Sequence, residues 1–361
     1  MKRKIVLVVF VILSTFFQLH AQSENDFVVI QNTDNTLTIT DYTGSVLDVV
    51  IPDTLYGLKV TIIGGSAFRN KGITSVIIPN SVLIIENGNT GSSSGETLYY
   101  GAFTGNNMLT TVILGSGLQI IGTNAFCSIK ISEIIIPDSV TTISDMAFQG
   151  YTYGYQNKGN LTRIIFGTGL QSIGELAFAN NQISELNLPS SIKTIEYGAF
   201  QRNKIEKVTF GTGLQIIDRY VFRYNQIVDL NLPTSIKTIE IGAFANNQIN
   251  SVIIPNGVTS INNCDNEYYT SWLGAFANNP ITTVVIPATL ANGGIKGEFL
   301  LGNHDSGPFG RTNASTITQI TIPVGMENLS GIFEESFVNF WINHNRAGGT
   351  YIKRGPIWSR E

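Results

Sequence analysis

Apolar and polar residues alternate along most of the chain in short segments that recur at a nearly constant spacing. Each unit opens with a segment whose apolar residues follow L-x-x-L-x-L, as in Ile183, Leu186 and Leu188, and Pro or Gly ends it. A second short segment follows, such as Ile192–Ile195, and a Phe that usually follows Ala closes the unit. The alternation predicts two short β-strands per unit with their apolar side chains facing inward.

The closing Phe residues give the length of the repeat. They are Phe68, Phe103, Phe126, Phe148, Phe178, Phe200, Phe222, Phe244 and Phe276. Wherever no extra segment intervenes, the spacing is 22 or 23 residues. Units this short cannot enclose a core alone and must bury their apolar side against their neighbours. The predicted fold is therefore mainly β: a solenoid of parallel strands, about 22 residues per coil, with little or no helix in the repeats.

An Asn follows most of these Phe residues by three positions. The Asn residues are Asn106, Asn181, Asn203, Asn225, Asn247 and Asn279. Stacked at one corner of the solenoid, such side chains tolerate left-handed backbone geometry and satisfy turn backbone groups of the adjacent coil. We therefore predict a structural role for them and no ligand role.

The repeat divides the chain into a predicted series of parts. These are a signal peptide (1–21), an N-terminal capping unit (22–68), the repeats (69–336) and a C-terminal cap or tail (337–361). Insertions are expected near 87–100, 151–160, 263–273 and 291–307. The tail holds Phe340, Trp341, Tyr351 and Trp358. It is interpreted either as an aromatic cap over the exposed end of the core or as a sorting or docking tail.

The first residues have the features of an export signal. Lys2, Arg3 and Lys4 precede an apolar run, Ile5–Phe17, and Ala21 offers a cleavage point. The run is shorter than the roughly 20 residues of a membrane-spanning helix, and a buried N-terminal helix is the alternative. The predicted location is secreted or at the cell surface, with the periplasm also open, and no transmembrane segment is expected after cleavage.

Charge and cysteine content narrow the function classes. Cleavage after Ala21 would remove three basic and no acidic residues, so the formal charge would move from −4 to −7. A mildly acidic chain without a Lys/Arg cluster predicts neither nucleic acid nor anionic membrane as a partner. Cys127 and Cys264 lie six coils apart, about 29 Å at about 4.8 Å per step, which is beyond disulfide reach.

The units resemble BspA-type leucine-rich repeats, whose pattern is L-x-x-I-x-L-P-x-S-L-x-x-I-G-x-x-A-F. Leu186–Phe200 and Leu230–Phe244 share the phrase L-x-L-P-x-S-I-K-T-I-E-x-G-A-F. The resemblance extends from about Asn25 to Phe337. It implies a secreted or surface-displayed protein that binds other macromolecules, commonly host matrix proteins or neighbouring cells. It implies no catalytic residue and no cofactor.

One outward position of successive strands carries charges of alternating sign. The residues of this predicted charge ladder are Glu133, Arg163, Glu185, Lys207 and Asp229. Stacked neighbours of opposite sign attract, by about 0.2–1 kcal/mol for each exposed pair. A solvated polar column that tunes stacking is the favoured interpretation over a ligand site. The next outward position is apolar at Ile77, Ile113, Ile135 and Ile165, which fits either ordinary strand propensity or a contact surface.

Aromatic residues are concentrated in three of the insertions. The candidate binding residues are Tyr99, Tyr100, Tyr151, Tyr153, Tyr155, Tyr268, Tyr269 and Trp272. Aromatic loops rich in Gly and Asn supply rigid contacts beside adaptable polar groups, as protein-binding loops do. The same rings also fit a simple role as lids packed over the coil edge. Both interpretations remain open from the sequence.

Motifs that superficially suggest chemistry lack its structural context. Gly91–Gly95 matches G-x-S-x-G, but it lies in a Ser/Gly loop rather than a strand–turn–helix, and only His304 and His344 follow the signal. Asp265 and Glu267 do not form a calcium-loop pattern. The chain is predicted to be no enzyme and to bind no metal. Binding to a protein or glycan surface is the first functional hypothesis, and a structural, self-assembling envelope protein is the second.

Overall fold

The computed structural model describes residues 22–93, 96–150, 159–262, 274–290, 317–324, 340–354 and 357–361. The strands are β1 (Phe27–Gln31), β2 (Leu37–Tyr42), β3 (Asp48–Val50), β4 (Thr54–Leu55), β5 (Leu58–Ile63), β6 (Ser75–Ile77), β7 (Ile84–Ile85), β8 (Asn89–Ser93), β9 (Glu96–Tyr100), β10 (Thr111–Ile113), β11 (Ile120–Ile121), β12 (Glu133–Ile135), β13 (Thr142–Ile143), β14 (Arg163–Ile165), β15 (Ser172–Ile173), β16 (Glu185–Asn187), β17 (Thr194–Ile195), β18 (Lys207–Thr209), β19 (Ile216–Ile217), β20 (Thr238–Ile239), β21 (Ser251–Ile253), β22 (Ser260–Ile261), β23 (Thr283–Val285), β24 (Gln319–Ile322), β25 (Gly349–Arg354) and β26 (Ile357–Arg360). Helical structure in the described ranges is limited to the short turns Glu24–Asp26, Ala288–Leu290 and 340–343.

The second segments of the repeats form a long parallel sheet. Its order is β2-β5-β7-β11-β13-β15-β17, and a further sheet, β19-β20-β22, contains three more second segments. Ile121, Ile143, Ile173 and Ile195 are successive register partners, and all four are buried. Each strand is two residues long in most coils, because the chain turns before a third can pair. This confirms the predicted parallel β solenoid.

The opening strands pair in smaller sets on another side of the coil: β3-β6-β10, β12-β14, β16-β18 and β21-β23-β24. In most Pro-ended units the residue before the Pro donates to the next coil, as in Ile136 N to Ile165 O at 2.8 Å and Leu188 N to Thr209 O at 2.9 Å. Within the described ranges, no ladder links β14 to β16, and the segment around Asp229 is not a strand. In the middle coils, strand pairing on this side therefore stops after each Gly-ended unit.

A column of stacked rings runs through the core. Successive closing Phe rings from Phe68 to Phe276 lie 4.8–6.0 Å apart, with planes tilted by no more than 12°. Tyr42 takes the place of the Phe in the first coil, 5.4 Å from Phe68. Near-parallel rings at this separation follow from identical side chains repeating once per coil. The column makes the core continuous from coil to coil.

The Asn column satisfies turn backbone groups of the neighbouring coil, as the sequence predicts. Asn225 shows the pattern: its Nδ2 donates to Phe200 O and Phe222 O at 3.0 Å, and its Oδ1 accepts from Ile205 N at 3.1 Å. The expected left-handed backbone is wrong for these residues. The left-handed residue lies one position earlier, as in Asn180, Asn246 and Asn278, because the turn reverses there and the following Asn must point inward.

The two ends depart from parallel pairing. At the N-terminus β1 pairs antiparallel with β2, and at the C-terminus β24, β25 and β26 pair antiparallel. Parallel strands need a full coil between them, whereas a terminal segment can fold straight back on its neighbour. Trp341, Tyr351 and Trp358 of the tail are buried in the same core cluster as the repeats. These three rings therefore belong to the apolar core that runs through the repeats.

Candidate binding surface

Of the predicted aromatic binding residues, Tyr100 is the one whose side-chain contact the structure describes. Tyr99 and Tyr100 belong to β9, which forms an antiparallel hairpin with β8. The Tyr100 ring lies 4.2 Å from the Arg69 guanidinium carbon of the preceding coil. The side chain of Tyr99 lies outside the described part of the structure. So do the other candidate residues, which are Tyr151, Tyr153, Tyr155, Tyr268, Tyr269 and Trp272.

The residues of the charge ladder lie on exposed sides of the opening segments. Glu133 and Arg163 are register partners and form an ion pair of 2.9 Å. Glu185 and Lys207 are also register partners, but among the described side chains they do not come within 4 Å. Among the described residues, no strand pairing links β14 with β16, or β18 with the segment around Asp229. Arg163 is therefore not a register partner of Glu185, and Lys207 is not a register partner of Asp229. The strand register therefore places four of the five charges opposite one another, and of these Glu133 and Arg163 are in contact.

The apolar column beside the ladder reaches solvent. Ile135, Ile165 and Ile253 are 45%, 38% and 60% exposed. Asn187, Thr209 and Asn231 occupy the same position in the middle coils and are exposed as well. The apolar stretches are thus separated by a polar one.

A different side of the solenoid carries the Phe-containing turns. We define the turn face as the residues from three before to two after each closing Phe. Asn180, Asn246 and Asn278 occupy its partly exposed left-handed position, and the Ala residues before them, such as Ala179 and Ala245, are buried. Backbone hydrogen bonds tie each turn to the next, as in Phe178 N to Ala199 O at 2.8 Å. The β8–β9 hairpin ends at the part of the turn face that contains Phe103. In the sequence, residues 263–273 lead into the turn that contains Phe276.

Two adjacent turns break this monotony. They carry an arginine–tyrosine cluster, which consists of Tyr197, Arg202, Arg219, Tyr220, Arg223 and Tyr224. Arg202 lies 4.8 Å from the Tyr224 ring centroid, and Arg223 lies 4.6 Å from the same centroid and 5.0 Å from that of Tyr220. Tyr197 and Tyr220 meet edge to face at 5.5 Å. The side chains therefore form one connected group spanning two coils.

Three members of the cluster have left-handed backbone conformations. Tyr220 lies two residues before its closing Phe with a φ of 59°, and Arg202 and Tyr224 each lie two residues after a closing Phe with φ values of 57° and 60°. At the second of these positions other coils have Asn70, Gly105 or Ser128. Large side chains with a Cβ disfavour this conformation, whereas Gly and Asn visit it readily. Arg202 and Tyr224 therefore occupy positions that the repeat elsewhere gives to residues suited to the turn.

The electrostatic environment of the cluster is divided. Arg219 approaches Asp218 at 3.9 Å, and Arg223 donates to the Tyr224 hydroxyl at 3.2 Å. Burial raises the pKa of Tyr197, with Tyr220 and Glu175 acting in the same direction and Arg223 and Arg219 opposing them. Burial also raises the pKa of Glu196, helped by the carboxylates of Asp145, Asp218 and Glu175. An acidic column thus borders a basic and aromatic patch.

Sequence comparison identifies the repeats. The model of the BspA type leucine rich repeat region matches residues 42–153 and 151–272, which together are more than half of the chain. The chain belongs to the BspA-type leucine-rich repeat family. No curated protein sequence matches it significantly.

One solved structure shares this fold, and others show weaker similarity. A leucine-rich repeat protein from Bacteroides ovatus has a TM-score of 0.54 and 19% identity, covering 84% of this chain and 70% of that one. A leucine rich cell surface protein from Faecalibacterium prausnitzii has a TM-score of 0.41 and 21% identity, covering 79% of each chain. The pneumococcal vaccine antigen PcpA has a TM-score of 0.40 and 18% identity, covering 73% of this chain and 82% of that one. The first similarity shows the shared fold.

Sequence reasoning from the BspA-type pattern missed the arginine–tyrosine cluster. The repeat frame itself contained the signal: aligned on the closing Phe, Phe-Ala-Asn-Asn in three coils becomes Phe-Gln-Arg-Asn at Phe200 and Phe-Arg-Tyr-Asn at Phe222. These substitutions leave the repeat spacing unchanged, so the spacing alone does not reveal them, whereas it reveals the insertions. A position that is small in most coils and large in two neighbouring ones marks a local specialisation.

Reactive groups are few in the described part of this BspA-type chain. Burial raises the pKa of Cys127 to about 11, although its thiol contacts the Ser128 hydroxyl. A thiol with so high a pKa is a poor nucleophile at neutral pH. Among the described residues no group of three His, Cys, Asp or Glu side chains could hold a metal ion. Those residues also include no helix long and apolar enough to cross a bilayer.

Proposed function

We propose that this protein is an exported, non-enzymatic binding protein whose turn face contacts a protein or glycan surface, such as a host matrix protein or a neighbouring cell. The arginine–tyrosine cluster is the observation that carries the proposal. Arg and Tyr are among the residues that dominate binding energies at interfaces. Here they replace small residues on a face where the repeat gives no structural reason for them.

The position of the cluster supports an extended contact. The Arg69–Tyr100 pair lies on the same face, near the start of the repeats, and the turns of Phe126, Phe148 and Phe178 lie between it and Tyr197. Five coil steps separate the turns of Phe103 and Phe222, which is about 24 Å at about 4.8 Å per step. Two Arg–Tyr groups at this separation suit a partner that lies along the solenoid.

Export is part of the proposal. The basic residues Lys2–Lys4, the apolar run after them and Ala21 support secretion or display at the cell surface, with the periplasm open. Self-assembly into an envelope structure is the second candidate function. The exposed Ile135, Ile165 and Ile253 on the opening strands favour it, because exposed apolar residues can cover one another between copies.

Binding to a defined panel separates the two functions. Purified residues 22–361 are tested against matrix proteins and glycans by surface plasmon resonance, with light scattering to measure mass. The binding function predicts saturable binding to at least one panel member by a monomeric protein. A protein that binds nothing in the panel but grows in mass with concentration would support the envelope function instead.

The aromatic hairpin provides a second variant in the same assay. Replacing Tyr99 and Tyr100 with Ala removes both rings but leaves the repeat turns intact. We expect weaker binding with a nearly unchanged melting temperature. A lower melting temperature for this variant would show that the rings act as lids.

A further inference from the structure

We infer that the arginine–tyrosine cluster binds a carboxylate-bearing sugar residue of a glycan. This assignment deepens the proposed function and rests on it. The ligand is expected to place its carboxylate against Arg202 and Arg223 and its ring against the tyrosines.

Two guanidinium groups in the cluster are available to an anion. Arg202 and Arg223 both pack on the ring of Tyr224, so their cationic carbons lie within about 10 Å of each other. Neither has a carboxylate within 4 Å among the described residues, whereas Arg163 and Lys71 each have one. Two like charges around one ring repel each other. A shared anion removes that repulsion.

The Arg223 guanidinium is partly buried and held in one orientation. Its Nε is buried and lies out of reach of a ligand, so an anion would have to meet the terminal Nη groups. Because the Tyr220 and Tyr224 rings hold the guanidinium in place, it is oriented before the ligand arrives. The planar guanidinium fork matches the two oxygens of a carboxylate, which a Lys ammonium does not.

The tyrosines suit a sugar ring. Tyr220 packs against Ala245 and Ala277, and Tyr197 meets it edge to face, so both rings are fixed by the coil below. A tyrosine presents an apolar face beside a polar hydroxyl. A sugar has the complementary arrangement of C–H faces and hydroxyl edges. The cluster thus offers an aromatic support beside a cationic one.

The surroundings limit the ligand to an isolated carboxylate. Asp145, Glu175, Glu196 and Asp218 interact electrostatically along the neighbouring column, and their charges oppose a long polyanion. The cluster spans two coils, and the turns on either side have Asn180 and Asn246 at the partly exposed position. A stable protein interface needs about 800 Å² on each partner. Two coils flanked by small side chains fit one or two sugar rings better than such an interface.

Saturation-transfer NMR with small probes tests the assignment on residues 22–361. The probes are methyl glucuronide, methyl glucoside, acetate and a blocked glutamate tripeptide. We expect saturable binding of the glucuronide, at least tenfold weaker binding of the neutral glucoside and of acetate, and no advantage for the peptide. Equal binding of glucoside would show that the carboxylate is not recognised. Tighter binding of the peptide would replace the glycan with an acidic protein segment, and absence of any glucuronide signal would overturn the site.

Three variants keep the test independent of folding. Arg202→Asn with Tyr224→Asn installs residues that the repeat uses at this turn, Arg223→Lys keeps the charge but removes the fork, and Arg163→Glu alters a distant strand. We expect at least tenfold weaker glucuronide binding for the first two and no change for the third. Macromolecular binding that persists without glucuronide binding would refute the sugar assignment and leave the proposed function standing.

Discussion

The guanidinium of Arg202 stacks on the ring of Tyr224 at 4.8 Å, and the two residues occupy equivalent left-handed turn positions in adjacent coils. Each coil advances the chain by one strand spacing, so equivalent side chains become stacked neighbours. Changing one position in two consecutive repeats therefore creates a joint surface that neither repeat forms alone. Duplicated sequence thus provides a way to build a site without altering the core.

The turn conformation predicts how the cluster affects stability. The double replacement Arg202→Asn and Tyr224→Asn should leave the free energy of unfolding unchanged or raise it by about 1 kcal/mol, because Asn tolerates the left-handed region better. Urea denaturation measures the change. A loss of several kcal/mol would mean that the cluster holds the coils together and is not reserved for a ligand.

The Asn column predicts a large effect from a single buried side chain. Asn225→Ala removes three hydrogen bonds to backbone groups of two coils and leaves buried partners unsatisfied. We expect a loss of about 2–4 kcal/mol in the free energy of unfolding. The exposed Asn187→Ala on the opening strand is the matched control and should change it by less than about 0.5 kcal/mol. Similar values for the two variants would contradict the structural role of the column.

Repeat sequence predicted the architecture because each apolar position recurs once per coil. Ile121, Ile143, Ile173 and Ile195 follow from this rule, and so does the Phe column. The antiparallel ends could not be predicted in this way, since β1 and β25 lie outside the repeat. Interrupted pairing near Arg163 and Asp229 was also hidden, because it depends on hydrogen-bond geometry between coils and not on the pattern of inward residues.

The binding surface was less accessible to sequence reasoning. Insertions stand out because they break the spacing, and Tyr100 was singled out for that reason. Arg223 and Tyr224 keep the spacing and alter only side-chain size, so their significance depends on knowing which turn positions face outward. The spatial meeting of Tyr197 with Tyr220 required the structure.

The charge ladder predicts a salt-dependent effect. Arg163→Glu replaces the ion pair with Glu133 by a repulsive contact. Because both side chains are substantially exposed, the loss should not exceed about 1–2 kcal/mol and should shrink as salt increases. Lys207→Gln is the control, since no described carboxylate lies within 4 Å of Lys207 and the neutral side chain adds no repulsion with its register partner Glu185, and it should cost less. A loss for Arg163→Glu that does not depend on ionic strength would disprove the stacked pair.

The raised pKa of Glu196 predicts that this carboxyl group lowers the stability of the folded protein at neutral pH. Because burial and neighbouring carboxylates raise this pKa in the folded protein, the associated stability is present below the usual carboxyl range and is lost as the pH rises through the raised pKa. Glu196→Gln should therefore melt slightly higher than the parent protein at pH 7 and equally at pH 3. The effect should be small because the side chain is only partly shielded from solvent. A lower melting temperature at pH 7 would contradict the acidic column.

The most direct test of the central claim, that the turn face binds and the opening strands stabilise, is one paired measurement. The affinity for the panel member bound most tightly and the melting temperature are determined for the parent protein, for Arg202→Asn with Tyr224→Asn, and for Arg163→Glu. We predict that the double variant loses at least tenfold in affinity at an unchanged or higher melting temperature. Arg163→Glu should melt lower and bind as the parent does. Full affinity in the double variant, or loss of binding in Arg163→Glu without unfolding, would contradict the account.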